Sequence, residues 1–179
     1  MDMDMDSLLK MRSDRDVFFA EHYSSPLPEE HRSGFSGLDY FAPDSTWVLN
    51  ADYERTEPTK VPIPSTAGSE SFYTTTGTAT VEIGGSVHRL IILDDGDGDA
   101  FIPFRDGTCG SETYGGGRYV GITIADDGTA TIDFNVAQNP WCVYDEEFTC
   151  PLPPSQNWIA APIRAGEKMY KNTEVQEGR

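Results

Sequence analysis

Two segments of alternating polar and apolar residues on either side of a pair of glycines constrain the fold of this chain most strongly. Residues 71–76 and 78–83 alternate and are rich in β-branched side chains, and Gly84-Gly85 separates them from the similar run 87–93. A period of two places apolar side chains on one face of a strand, and adjacent glycines suit a tight hairpin turn. The sequence therefore predicts a β-hairpin, and a mainly β protein around it.

Further strands are predicted on both sides of this hairpin. Residues 118–124 and 129–134 form a second hairpin around the turn Asp126-Asp127-Gly128, and shorter strands are predicted at 46–52, 101–104 and 159–164. Residues 61–66 contain two prolines, so they fit only an edge strand or an extended arm. Short strands at regular spacing with glycine-rich turns indicate an antiparallel β-barrel or sandwich.

The N-terminal segment has a helical pattern instead. Residues 7–23 have apolar positions at helical spacing, although Arg15 interrupts them, and Ser13 offers an alternative start with a capping box. Residues 28–34 fit a single helical turn. We expect one domain over residues 1–179, with a helical segment at 1–34 packed outside a β-rich core at 35–179.

The charge of the chain is strongly negative. Thirty acidic residues oppose thirteen basic ones, four of them lysines, which gives a net charge of −17. An acidic, lysine-poor surface indicates adaptation to high salt, where ions screen self-repulsion; an acidic mesophilic protein is the alternative. Nucleic-acid binding is not expected, because phosphate neutralisation requires clustered Lys and Arg.

No apolar run approaches the roughly 20 residues that span a bilayer, and the first ten residues lack the features of a secretory signal. We therefore expect a cytoplasmic protein without a membrane partner. Three cysteines in such a chain do not indicate a disulfide framework.

The unusual chemistry is concentrated between Phe101 and Pro154. Arg105 and Arg118 each lie beside an apolar aromatic strand, and Arg is seldom buried without a partner. An internal ion pair, Arg105 with Asp106 or Arg118 with Asp133, would give a buried arginine the partner it needs. The alternative is a polar pocket for an anionic small molecule. The glycines of YGGGRY lack the ending of a phosphate-binding loop and indicate a close approach of the backbone to another element or a ligand.

The motifs FIPFRDGTCGSETYGGGRY, IDFNVAQNPWCVY and TCPLPPSQNW resemble the family called domain of unknown function 1684. The N-terminal SPLPEEHRSGFSGLDYF and the terminal IRAGEK extend the resemblance over nearly the whole chain. The family name implies no activity. The resemblance marks as signature positions Arg105, Asp106, Tyr114, Gly115, Arg118, Tyr119, Asn135, Asn139, Cys142, Tyr144, Cys150 and Asn157. Cys109 departs from the family pattern, in which a small hydroxyl residue is more usual.

The candidate ligand-binding residues lie at the ends of predicted elements, where loops carry function on a rigid scaffold: Arg105, Asp106, Tyr114, Arg118, Asn135 and Asn139. They would bind a carboxylate or phosphate group, with no cofactor. In an enzyme, Arg105 and Arg118 would hold charge, and Tyr114 or Asp106 would transfer a proton. The alternative is a non-catalytic structural or interaction domain in which these residues form an internal network.

Two other clusters have residue types found in metal sites. Asp95, Asp97 and Asp99 alternate as in a calcium loop, but Ala100 stands where the loop needs glycine, so a solvated turn is favoured. Cys142 and Cys150 have no partner with zinc spacing. We predict that these two cysteines lie close together without metal, as packed thiols, as a disulfide or, less favoured, with one as a nucleophile.

Overall fold

Seven antiparallel strands form one sheet that curls into a half-barrel in the computed structural model, which describes residues 4–94, 96 and 98–171. The strands are β1 (Val48–Pro64), β2 (Glu70–Ile83), β3 (Ser86–Asp94), β4 (Ala100–Phe104), β5 (Arg118–Gly121), β6 (Thr123–Ile124) and β7 (Thr129–Asp133). Their order in the sheet is β5-β4-β3-β2-β1-β7-β6. The expected mainly β fold with N-terminal helices is confirmed, and its β part is a partly closed barrel.

Two helices precede the sheet: α1 (Met5–Glu21) and α2 (Glu29–Arg32). The α1 helix begins well before the alternative start at Ser13, because the Asp4 side chain accepts the Ser7 N–H at 3.3 Å and so caps the helix. Arg15 interrupts the apolar positions because its side chain reaches inward to an ion pair with Glu167. The interruption is therefore a long-range contact and not a helix boundary.

Strand β1 is much longer than the predicted strand at 46–52. It pairs with β2 along both halves, from Asp52↔Thr80 to Pro64↔Glu70, but with β7 only over residues 48–52. Among the described residues, no second strand pairs with its second half, although Pro64 O accepts the Leu152 N–H at 2.8 Å. Pro62 and Pro64 lie in that half, where no second N–H of the ladder is needed. The prediction that this segment is an edge strand is confirmed.

The second predicted hairpin is present around its turn, where β6 pairs with β7, but its first arm is wrong over residues 118–121. Residues 118–124 do not form one strand: β5 pairs with β4, through Phe104↔Arg118, whereas β6 pairs with β7, through Thr123↔Thr131. The two short strands lie at opposite edges of the sheet, so the chain crosses between them at Ile122. This crossing is possible because the sheet curls and brings its edges near each other.

The predicted strand at 159–164 is also wrong. These residues run without regular structure, and their backbone groups bond to loops and side chains, as in Ile159 N–H to Arg105 O at 2.8 Å. Short 3-10 turns flank the irregular parts, at Ser45–Trp47, Phe134–Val136, Trp141–Val143 and Ser155–Asn157. The calcium-loop alternative depends on Asp95 and Asp97, which lie outside the described residues. Within the described ranges, no helix has the length and hydropathy needed to cross a bilayer.

The main core lies between the concave face of the sheet and the C-terminal segment. Strand residues such as Ile92, Phe104 and Ile132 pack there with Ile163 and Ala165, all fully buried. A smaller cluster of Phe19, Leu27 and Tyr144 attaches the helical segment. The C-terminal segment thus fills the half-barrel in place of a further layer of sheet.

Candidate functional site

Asp106 occupies a closed position just after β4. Its Oδ2 accepts the Thr108 N–H (3.1 Å), the Thr108 hydroxyl (2.8 Å) and the Ile163 N–H (2.7 Å), and its Oδ1 accepts Nη2 of Arg118 (3.3 Å). The side chains of both Asp106 and Arg118 are fully buried. The carboxylate therefore organises the loop after β4 and joins it to the C-terminal segment.

Arg118 begins β5 and extends into the core. Its Nη1 donates to the carbonyl oxygens of Ala165 and Glu167, and its Nη2 donates to Ile163 O (2.8 Å) as well as to Asp106. The guanidinium carbon lies 5.2 Å from the Phe104 ring centre. Burial lowers the pKa of the Arg118 guanidinium, and the Asp106 charge opposes that shift. The four Nη protons thus have four protein acceptors, while Nε is buried without a partner among the described residues.

Asn139 belongs to a second buried cluster around Glu167. The Glu167 carboxylate pairs with Arg15 Nε at 2.5 Å and accepts the Asn139 N–H (2.7 Å) and the Tyr144 hydroxyl (2.8 Å). Burial, and then the Glu167 charge, raise the pKa of Tyr144 well above its ordinary value. Because the Glu167 carbonyl also accepts from Arg118, the two clusters are continuous.

The remaining asparagines connect backbones. Asn135 Nδ2 donates to Asp44 O (2.8 Å) and its Oδ1 accepts the Asp44 N–H (2.9 Å), which fixes the loop before β1. Asn157 does the same for Ile91 in β3, at 2.9 and 2.7 Å, and also donates to Pro103 O (2.8 Å). Both asparagines are fully buried, and each side-chain amide makes the backbone hydrogen bonds that a neighbouring strand would otherwise make.

Arg105 and Tyr114 lie apart from these clusters. The Arg105 guanidinium carbon lies 5.0 Å from the ring centre of the exposed Trp158, whereas burial and then the neighbouring Cys142 raise the pKa of the Tyr114 hydroxyl. Between them, Gly117 has φ +95°, and a Cβ there would lie 2.5 Å from Phe104 O. The predicted close backbone approach is therefore correct, and its neighbour is another strand.

The six predicted site residues thus fall into separate environments. The structure brings Asp106 and Arg118 into contact and connects them to Asn139 through Glu167, whereas Asn135, Arg105 and Tyr114 lie elsewhere. Arg118 pairs with Asp106, and neither predicted ion pair, Arg105–Asp106 or Arg118–Asp133, occurs among the described residues.

An open groove with aromatic walls lies on the other side of β5. One cavity of about 610 Å³ is lined by Met11, Tyr73, Asp99, Phe101, Tyr119, Val120, Gly121, Val136, Gln138, Trp141 and Pro151. A second, of about 350 Å³, is lined by Tyr119, Gln138, Asn139, Pro140, Trp141, Phe148, Thr149 and Cys150. The cavities share Tyr119, Gln138 and Trp141, and together we call them the aromatic groove.

Sequence reasoning did not single out this groove. Its rings come from distant segments: Phe101 lies 5.2 Å from Tyr119 and 6.1 Å from Tyr73 between ring centres, and Trp141 lies 5.3 Å from Phe148. The aromatic content of residues 101–154 was a usable signal, but alternation alone does not say which rings share a face.

Cys142 and Cys150 lie together, as predicted, and both are free thiols. The Cys142 N–H donates to Cys150 Sγ at 3.4 Å, and Cys150 itself is held by Thr66, whose Oγ1 accepts the Cys150 N–H at 3.1 Å. Hydrogen bonds from Cys150, and then from Thr66 and Tyr114, lower the pKa of the Cys142 thiol to about 6 against the effect of burial. Within the described residues, no group of three or more His, Cys, Asp or Glu side chains could hold a metal ion.

Comparison with known proteins gives a family and a structural relative. The sequence profile described as "Protein of unknown function (DUF1684)" matches residues 33–168. The solution NMR structure of an uncharacterised protein from Haloarcula marismortui is similar to this chain, with 35% identity, a TM-score of 0.72, and coverage of 93% of this chain and 97% of that chain. No curated protein matches the sequence.

Proposed function

The chain belongs to the DUF1684 family of proteins of unknown function, and because that description states no activity, we propose from the geometry that it binds a small molecule in the aromatic groove. The observation that carries this proposal is the pair of adjoining, solvent-open cavities of about 610 and 350 Å³. Small-molecule sites are typically concavities of about 300–1,000 Å³, lined by apolar and aromatic side chains with a few polar groups.

The lining indicates the class of ligand. Tyr119 and Trp141 offer ring faces, and the Tyr119 hydroxyl is already bound to Pro151 O, so its ring is the part open to a ligand. The Gln138 N–H donates to Tyr119 O at 2.8 Å, and Gln138 O accepts the Tyr119 N–H at 2.9 Å. The side-chain amide of Gln138 makes no hydrogen bond with the described residues. Asp99 is the one charged residue among the described residues that line the larger cavity. A planar, neutral or cationic compound with one hydrogen-bonding group fits this lining.

An anionic ligand at the six residues predicted from the sequence stays a prediction. The contacts of Arg118 favour the alternative, a structural network, because its Nη donors are taken by protein oxygens. Arg105 keeps the anion hypothesis open, because it stacks on Trp158 and has no carboxylate within ion-pair distance among the described residues.

The groove can be tested with a neutral planar probe, N-phenyl-1-naphthylamine, whose emission rises in apolar surroundings. We expect saturable binding, and a loss of about tenfold in affinity for Trp141→Ala, since a ring contact and its burial contribute about 1.4 kcal/mol. Trp141 is 39% exposed, so its removal should leave the fold intact.

Trp158→Ala is the matched control, because Trp158 is also exposed, at 54%, but lies outside the groove. Its affinity for the probe should equal that of the wild type. Equal losses in the two variants, or no saturable binding at all, would contradict the proposal.

We also propose that the protein works in a salt-rich cytoplasm. The net charge of −17 supports this, and so does the halophilic source of the similar structure. Screening of self-repulsion should raise the melting temperature between dilute buffer and molar KCl. A melting temperature that stays level or falls over that range would remove the halophile interpretation.

A further inference from the structure

We propose that Cys142 and Cys150 form a dithiol that reduces low-molecular-weight disulfides, with Cys142 as the attacking thiol and Cys150 as the resolving thiol. The inference is independent of the aromatic groove as a binding site. It depends on the contact of the two thiols, on their unequal exposure and on the cavity beside Cys142.

The two sulfurs differ in access. Cys142 is half-buried and lines an open cavity of about 570 Å³, whereas Cys150 is only 8% exposed and borders the smaller cavity of the aromatic groove. The Cys142 N–H donates to Cys150 Sγ at 3.4 Å, so the two cysteines are in direct contact. A substrate disulfide can therefore reach Cys142 first, and the mixed disulfide forms next to the thiol that can displace it.

The surroundings stabilise the anion that attacks. Side-chain hydrogen bonding by Cys150, then Thr66 and Tyr114, lowers the pKa of the Cys142 thiol, because donors to a charged form favour that form. The pKa of the Cys142 thiol is about 6, so the thiolate predominates at neutral pH. The pKa of Cys150 lies above its ordinary value, because Cys150 donates to Cys142 and is buried, so Cys150 stays protonated until Cys142 has reacted.

The reaction balances in two steps. The Cys142 thiolate attacks one sulfur of the disulfide R–S–S–R, which forms a Cys142–S–S–R bond and releases RS⁻, and this anion takes a proton from solvent. Cys150 then loses its proton to solvent and attacks the Cys142 sulfur, which forms the Cys142–Cys150 disulfide and releases the second RS⁻. Two electrons pass from the dithiol to the substrate, which leaves as two thiols.

Charge around Cys142 selects among substrates. The charged and titratable groups lining its cavity, besides Cys142, are His31, Tyr144, Asp145, Glu146, Glu147, Tyr170 and Lys171. Three of them are carboxylates, against one lysine and one histidine, so the cavity attracts cations. Its preferred substrate is a cationic disulfide, and a dianionic one should react more slowly.

The test uses the full chain in a Cys109→Ser background, which removes the third thiol. Reduced protein is mixed with cystamine, a dicationic disulfide, quenched with N-ethylmaleimide and weighed by mass spectrometry. We expect both thiols to be lost with no retained adduct, whereas added Cys150→Ser should retain one cysteamine on Cys142. Added Cys142→Ser should react at least about tenfold more slowly, because the thiolate is the nucleophile.

Two further measurements distinguish a reactive dithiol from two thiols that only pack in the interior. The rate should be half-maximal near pH 6, the value for Cys142, and Tyr114→Phe or Thr66→Val should raise that midpoint. Dithiodiglycolate, a dianion, should react about tenfold more slowly than cystamine at low salt, with the difference shrinking as salt screens the cavity. A midpoint near 8.5, as for a free cysteine, or no retained adduct with Cys150→Ser, would overturn the proposal.

Discussion

Asp106→Ala should lower the free energy of unfolding by about 3–5 kcal/mol, a large share of the roughly 5–15 kcal/mol of a typical domain. The carboxylate is the only charged partner of the fully buried Arg118 among the described residues. Removing it leaves an uncompensated buried cation, and it also leaves the Ile163 N–H and the Thr108 hydroxyl without their acceptor. Urea denaturation at neutral pH measures the loss directly.

The matched control is Glu112→Ala, which breaks the exposed Arg164–Glu112 pair at 2.9 Å. It should scarcely move the urea midpoint, because solvent screens that pair. The double variant Asp106→Ala/Arg118→Leu should recover part of the stability lost by Asp106→Ala alone, since no buried charge remains. No recovery, or a single variant as stable as the wild type, would favour a binding role for Arg118 over the structural one.

Gly166→Ala should destabilise the protein by about 3 kcal/mol. Gly166 has φ +77°, which costs another residue roughly 1–2 kcal/mol. In addition, a Cβ there would lie 2.6 Å from Ala137 O and 2.8 Å from Phe134 O, which are backbone atoms that cannot turn aside, and overpacking typically adds about 1–3 kcal/mol. The expected result is a lower urea midpoint with an unchanged slope.

Gly85→Ala is the control for the backbone effect alone. Gly85 has nearly the same φ, +76°, but no atom lies within 4 Å of its added Cβ. This variant should lose only about 1–2 kcal/mol. If the two alanine variants lost the same amount, the close packing of Gly166 against the turn at Phe134–Val136 would contribute nothing.

Local patterns predicted the elements that depend on neighbours in sequence. The alternation around Gly84-Gly85 and the helical spacing in α1 follow from the period of each structure, so both were found. Residues 118–124 were predicted as one strand, but their two halves pair with different strands. Alternation does not reveal this, because it is the same whichever strand is the partner. Residues 159–164 misled because their backbone groups bond to Arg118, Asp106 and Arg105 in place of a neighbouring strand.

The candidate site shows the same division. The sequence predicted that Arg118 needs a charged partner, and the complete burial of its side chain agrees with that need. That the partner is Asp106 and not Asp133 depends on how β4 and β5 pair. The closeness of Cys142 and Cys150 was predictable from a short intervening turn. The aromatic groove was not, because Tyr73 and Trp141 are distant in sequence and line one cavity only in the folded sheet.

The enclosure of Arg118 by the C-terminal segment also sets an order for protein synthesis. The arginine is made 45 residues before Ile163 and 49 before Glu167, and Asp106 is made 57 residues before Ile163. At roughly 5–20 residues per second, the ribosome takes roughly 2–9 seconds to supply the first of these carbonyl partners after Arg118. Until then the inner face of the half-barrel is not covered by the C-terminal segment, and the Arg118 and Asp106 side chains remain in water. A chain that stalls before Ile163 should stay open and be cut readily by proteases, so the segment from Ile163 to Glu167, which is translated after all seven described strands, decides when those strands become a folded protein.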